Sequence, residues 1–387
     1  MAYYYTWGLW SVRRSDLQDV WCEGFNFVRP PYPDVPNPER SGQWQDGSNP
    51  RYFDQTDNLD STLNYAYTAQ QIGFTKLVYD LGLSYWYEEY HHTVVDPNYG
   101  VGNPNIPRSL QGIRDKVSER IGYMSGGSYY DRVTGNNLAL SSIICHPYID
   151  EPDYFAQQRS DVQGPSGPLW GDYTAGISEL VKDTADLYRG ALNSLSDANS
   201  QIYNAINRDI IAEFKGLVNY AIGVASSHNR VLYIATTTPD IVHRCDPLNQ
   251  DCSAIPVYKR DDFACYHYNS AGTELLMSSI YREPYYMSKL LPAIRSNYGA
   301  TAGELINFWD RMNGYGELPG VPTAQDIISQ INVNSGYTGG ENWFYQGDCI
   351  SFDYHDPKHN VSSLQQWSRL IQAIRSFGTN YRCSPEP

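Results

Sequence analysis

Two carboxylates stand side by side at Asp150-Glu151-Pro152, a few residues after the apolar run Leu138 to Cys145. An apolar run bounded by turn residues has the pattern of a strand buried on both faces, as in a parallel sheet. Acidic residues just beyond such a strand lie at its carboxyl end, where barrels and open α/β sheets keep their reactive groups. A carboxyl group held there can donate or accept a proton in a transition state. The same residues also suit a plainer use, capping the turn into the next helix, since Asp before Pro is a common turn device.

Acid/base work needs a partner group. By approximate position, Asp80, Glu274, Glu283, Glu304, Glu341 and Asp348 are the candidates. Asp80 and Asp348 are favoured because they fall at or just past the ends of expected strands. Two further clusters, Glu88-Glu89-Tyr90-His91-His92 and Asp353 to His359, gather imidazole and carboxylate, the ligand types of divalent cations. Neither has a recognised ligand spacing, so no metal and no cofactor is expected. Phosphate-binding glycine loops, nucleophile elbows and zincin motifs are absent from the sequence.

The elements that must position these groups alternate along the chain. Strands are expected at Tyr3 to Trp10, Phe25 to Arg29, Thr75 to Leu81 and Leu138 to Cys145. Helices are expected at Arg13 to Glu23, Asp60 to Ile72 and Leu110 to Tyr123, and the stretch carrying Tyr85, Trp86 and His92 reads as a loop. Such alternation argues for parallel strands with crossover helices. A proline-free stretch from about 176 to 227 carries two helical stripes, more than a crossover requires, so a helical insertion is expected around 170–227. Further strands are read at Arg230 to Thr236, Phe263 to Tyr268 and Asn342 to Gln346. Helical patterns run over Glu274 to Arg295, Ala302 to Met312, Ala324 to Ile331 and Ser363 to Phe377. Seven barrel strands can be named, and the eighth is expected between about Leu291 and Gly340. With no linker or internal repeat, residues 1–387 read as one domain of class α/β, a TIM (β/α)8 barrel with long loops and the helical segment inserted after strand 4.

In strand order and in Asp150-Glu151-Pro152 the sequence resembles the (β/α)8 glycoside hydrolases, whose large clan carries Asn-Glu-Pro at the end of the fourth strand. The resemblance implies Glu151 as acid/base and a second carboxylate from the end of the seventh strand. The first residue of the tripeptide departs from the clan's Asn. Glycosidic hydrolysis has its own requirement: one carboxyl protonates the leaving oxygen and a second lies across the bond, about 5 Å away for retention or about 6.5 to 9.5 Å for inversion. Asp150 would assist Glu151 or hydrogen-bond the sugar. Trp10, Tyr85, Trp86, His146, Tyr148, His267, Tyr268 and Trp343 fall near expected strand carboxyl ends, where aromatic rings stack on sugars and imidazoles orient hydroxyls.

Composition agrees on the class of partner. The chain of 387 residues has 28 Lys and Arg against 43 Asp and Glu, a formal charge of −15, which opposes a phosphate backbone or an anionic membrane surface. Its 34 Tyr and 9 Trp offer amphipathic rings suited to carbohydrate. A glycan-acting hydrolase is thus one expectation. A non-catalytic carbohydrate- or receptor-binding protein, or a virion or filament subunit that self-assembles through Tyr-rich faces, is the other. No apolar segment reaches the roughly 18 residues that span a bilayer, and no export signal is visible near Arg13-Arg14. The expected location is extracellular or virion-associated. Seven cysteines lack any C-x-x-C spacing; pairings Cys245–Cys252 and Cys349–Cys383 are conceivable from position alone.

Overall fold

A computed structural model describes residues 4–10, 12–30, 55–95, 97–103, 106–126, 128–131, 136–149, 213–214, 216–236, 273–277, 287–288, 291, 301–307, 322–345 and 361–383. The fold is α/β, with a curled, barrel-like parallel sheet whose strands alternate with helices. In chain order its strands are β1 (Thr6–Leu9), β2 (Phe27–Val28), β3 (Lys76–Asp80), β6 (Ile144–Ile149), β7 (Leu232–Thr236), β8 (Thr273–Met277), β9 (Thr301–Asn307) and β10 (Glu341–Tyr345). Each pairs in parallel with its chain neighbours in this series, and β1 also pairs with β10. A separate antiparallel hairpin joins β4 (Ser128–Asp131) to β5 (Asn136–Ala139).

The helices are α1 (Leu17–Cys22), α2 (Gln55–Ile72), α3 (Leu83–Val95), α4 (Leu110–Met124), α5 (216–227), α6 (Ala324–Thr338) and α7 (Val361–Arg375). Local chemistry sets their ends. Ser109 accepts from the Gly112 N–H at 3.0 Å to start α4. Thr323 and Asp326 cap each other's backbone at the start of α6, and Gly339, at φ 70°, ends it in the left-handed region. Gly73 stops α2 at φ 118°.

Side chains of the sheet alternate between two cores, as strand geometry demands. Leu9, Val28, Leu77, Tyr79, Cys145 and Phe344 face the helix layer, where they pack with Leu63, Ala66, Ile327, Leu370 and Ile374. Trp10, Phe27, Val78, Tyr148, Tyr233 and Trp343 form a second cluster inside the curl. Cys145 is wholly buried, and its burial pushes the thiol up to about 12, so it behaves as a small apolar side chain.

Inside the curl, Trp343 of β10 lies flat over β1. A Cβ built on Gly8 would stand 2.4 Å from two carbons of its indole. Gly8→Ala is therefore expected to destabilise the fold by about 1–3 kcal/mol, the usual effect of overpacking a filled core. Urea unfolding checks this, and an unchanged midpoint would show that the indole can move aside at little cost.

Several expectations need correction. The run Leu138 to Cys145 is not one strand. It divides between β5, the connection 140–143, and β6, which begins at Ile144. Gln70 of α2 fixes that division: its Oε1 accepts from the N–H groups of Ser141 at 2.7 Å, Ser142 at 2.9 Å and Ile143 at 3.4 Å, while its Nε2 donates to Ala139 O at 2.9 Å. The expected loop around Tyr85 to His92 is helix α3, which contains neither glycine nor proline. Ala302 to Met312 overlaps β9 rather than a helix, and the helical pattern expected from Glu274 begins instead with β8. Both strands lie in a sheet with neighbours on each side, and that pairing overrides local helix propensity. A strand does fall between Leu291 and Gly340, where the missing one is expected: β9. Cys383 pairs with Cys22, not Cys349, because the chain after α7 returns to the end of α1. Phe263 to Tyr268 and the first part of the expected insertion lie outside the described residues; its last part is α5, with Leu217, Val218, Ala221 and Ala225 buried.

Candidate functional site

The carboxyl ends of β1, β2, β3 and β6 bring four side chains to one end of the sheet. Trp10 follows β1, its N–H bonded to Phe344 O at 2.9 Å, and Arg29 follows β2, its N–H bonded to Leu9 O at 3.0 Å. The guanidinium carbon of Arg29 lies 4.5 Å from the Trp10 ring centroid and 4.7 Å from that of Tyr148. Trp10 meets Tyr148 edge-on at 4.8 Å and Trp343 edge-on at 5.8 Å. These rings and the cation are all buried. A cation held against two ring faces is favoured by the rings' quadrupoles, most strongly where water is excluded.

Asp80 ends β3 directly opposite Tyr148 of β6 in the sheet register. Its Oδ1 accepts from the Gly82 N–H at 2.7 Å, and the Leu81 N–H donates to Tyr148 O at 2.8 Å. The carboxylate is thus oriented by a tight turn at the strand's end. Gly82 takes φ 75°, a conformation that favours glycine. Strand β6 ends at Ile149, so Asp150 and Glu151 follow the strand without an intervening residue.

His146 sits two residues before Tyr148 and points into the same interior. Its Nδ1 accepts from the Val231 N–H at 3.0 Å, and its ring centroid is 5.4 Å from that of Tyr233. Burial, reinforced by the Lys76 and Arg230 cations, pushes the imidazole down to about 3. The ring is neutral at ordinary pH, with its proton on Nε2.

At the opposite, amino end of the sheet lies a second polar group. Lys76 opens β3 and forms an ion pair with Glu341, which opens β10. Lys76 Nζ also donates to Tyr233 OH at 3.0 Å and stands 4.4 Å from the Phe27 ring centroid. The other Glu341 oxygen is also engaged: Oε1 accepts from Tyr233 OH at 3.0 Å and from Trp343 Nε1 at 2.8 Å. Glu341, one of the candidate second carboxylates, is thus held in an ion pair at the amino end of the sheet.

Of the residues expected at the site, Trp10, Asp80 and Tyr148 come together at the carboxyl end, with His146 and Trp343 deeper in the interior. Trp86 is buried on α3, whose N-terminal turn follows the Asp80–Gly82 turn. Tyr85 lies on α3, but its side chain is outside the described residues, as are Asp150, Glu151, His267, Tyr268 and Asp348. Among the other carboxylates, Glu274 lies on β8 and Glu304 on β9. Arg29 was not anticipated. Its signal was a lone cation in an aromatic, β-prone stretch, Phe25 to Pro31, of an acidic chain.

No group of three or more His, Cys, Asp or Glu able to hold a metal occurs among the described residues. Glu89, from one of the two suspected clusters, is buried on α3 and accepts from Tyr99 OH at 3.3 Å. Among the described residues, no helix is long and apolar enough to cross a membrane. A scan of known protein-family models finds no match to the chain, and a search of curated proteins finds none either.

Proposed function

We propose that the chain is a (β/α)8 barrel that hydrolyses glycosidic bonds in a polysaccharide or glycan, with Glu151 as the acid/base, Asp150 assisting, and Asp80 or Asp348 as the second carboxylate. The observation that carries this reading is the pairing of β3 with β6, which sets Asp80 beside the strand that runs directly into Asp150-Glu151. Carboxylates from adjacent strand ends stand at the usual location of barrel chemistry, and paired hydrolytic carboxyls work at about 5 Å for retention and about 6.5 to 9.5 Å for inversion. The barrel reading is supported by eight strands that pair in parallel in chain order, with the first and last bonded to each other. The disulfide between Cys22 and Cys383 supports an oxidising, extracellular or virion setting.

A second reading is favoured by one observation. Trp10, Tyr148 and Trp343 pack on one another and are buried, as scaffold residues would be. On that reading the fold serves a non-catalytic carbohydrate- or receptor-binding protein, or a self-assembling virion or filament subunit.

The test is release of reducing sugars from a broad panel of polysaccharides and aryl glycosides. Native protein is expected to be active, and Glu151→Gln to lose at least about a hundredfold, the usual contribution of a general acid. Asp80→Asn and Asp348→Asn identify the partner carboxylate by a comparable loss. Folded native protein that releases nothing across the panel would overturn the hydrolase reading in favour of the second.

A further inference from the structure

The stretch after α7 is fastened to the end of α1 by two independent means. One is the disulfide between Cys22 and Cys383, whose Cα atoms are 5.1 Å apart across 361 residues of sequence. The other is a set of contacts made by two arginines. Arg382 donates from Nη1 to Phe25 O at 2.7 Å and from Nη2 to Gly24 O at 2.8 Å, and its backbone N–H donates to Cys22 O at 2.8 Å. Its guanidinium carbon also lies 5.2 Å from the Trp21 ring centroid. Arg375 donates from Nη1 to Glu23 O at 3.1 Å and pairs through Nη2 with the Glu23 carboxylate at 2.5 Å.

Together these cations occupy consecutive carbonyls, Glu23 to Phe25, at the C-terminal end of a helix, where the backbone is electronegative and cations are stabilising. Thr379 completes the fit: its Oγ1 accepts from Trp7 Nε1 at 2.6 Å. A Cβ on Gly24 would lie 2.4 Å from its methyl carbon. None of these contacts involves sulfur.

We propose that residues 375–383 form a latch that seats on the 22–25 turn without the disulfide, and that seating brings Cys383 to Cys22 so that oxidation seals a joint already made. In the sealing step one thiolate attacks a small disulfide such as oxidised glutathione and expels one glutathione thiolate. The second cysteine thiolate then displaces the other, so the protein loses two electrons and two protons while the reagent is reduced to two thiols. Because docking and bonding share one geometry, each must strengthen the other by the same factor.

The experiment equilibrates the full chain with defined mixtures of reduced and oxidised glutathione and reads the fraction of Cys22–Cys383 by peptide mass spectrometry. Hydrogen exchange at the Arg382 amide is followed in the Cys22→Ser/Cys383→Ser variant. The reduced latch is expected to keep that amide protected, and Arg382→Gln to lower the effective concentration of the two thiols about tenfold, the equivalent of one charged hydrogen bond. Arg382→Lys keeps the charge but cannot span two carbonyls, so it should give an intermediate fall and serves if Arg382→Gln does not fold. An Arg382 amide that exchanges at the unstructured rate in the serine variant would overturn the proposal. So would an effective concentration indifferent to both arginine variants.

Discussion

Lys76→Met is expected to lower the unfolding free energy by about 3 kcal/mol, near the low end of the range for breaking a buried ion pair. Among the described residues, the substitution leaves Glu341 with a negative charge and only neutral donors, Tyr233 OH and Trp343 Nε1. It also removes the cation from the Phe27 face. The low end applies because the Lys76 and Glu341 side chains retain 18% and 15% of their exposure, so water screens part of the lost attraction. Lys76→Met combined with Glu341→Gln removes both charges and should recover more than half of the loss. A double-mutant cycle by urea unfolding measures the coupling. If the single and double variants unfold at the same midpoint, the pair does not join β3 to β10 energetically.

Acid is expected to weaken the fold through His146. Its folded value of about 3 lies below the ordinary 6.5, so between those limits the unfolded chain takes up a proton that the folded chain refuses. Stability from this group is therefore fully present above about pH 6.5, falls as pH drops, and is lost at about pH 3. At pH 4.5 the loss amounts to about 2–3 kcal/mol. Carboxylates titrate in the same interval, so the measure is a difference: urea unfolding at pH 7.5 and 4.5 for the native chain and for His146→Gln. A glutamine oxygen can accept the Val231 N–H without taking a proton. The native chain should lose about 2–3 kcal/mol more than the variant, and equal losses would sink the assignment. In Lys76→Met the His146 contribution should shrink, because one of the cations that disfavour the imidazolium is gone.

The parallel α/β plan was legible because it depends on periodicity and punctuation. The stop at Gly73 and the apolar face of α7 are written in residue type. What escaped was set across the chain. Thr301–Asn307 carries no strong strand signature, and its strand state comes from neighbours on either side. Leu138 and Ile144 look continuous in sequence, yet a glutamine some seventy residues earlier divides them. Arg29 could be noticed as a cation but not placed between two rings, since Trp10 and Tyr148 arrive from different strands. The Cys22–Cys383 pairing was equally nonlocal: it depends on where α7 ends in space.

The Gln70 anchor also bears on how such a chain can change over time. Because α2 grips residues 139–143 downstream of the β4–β5 hairpin, the start of β6 is insulated from whatever happens in that hairpin. Insertions or deletions between Ser128 and Ala139 can be absorbed there without sliding β6 along β3, which would turn each of its side chains to the opposite face. The hairpin is thus free to diversify as a decoration, while the start of β6 and its register on β3 stay under the control of α2.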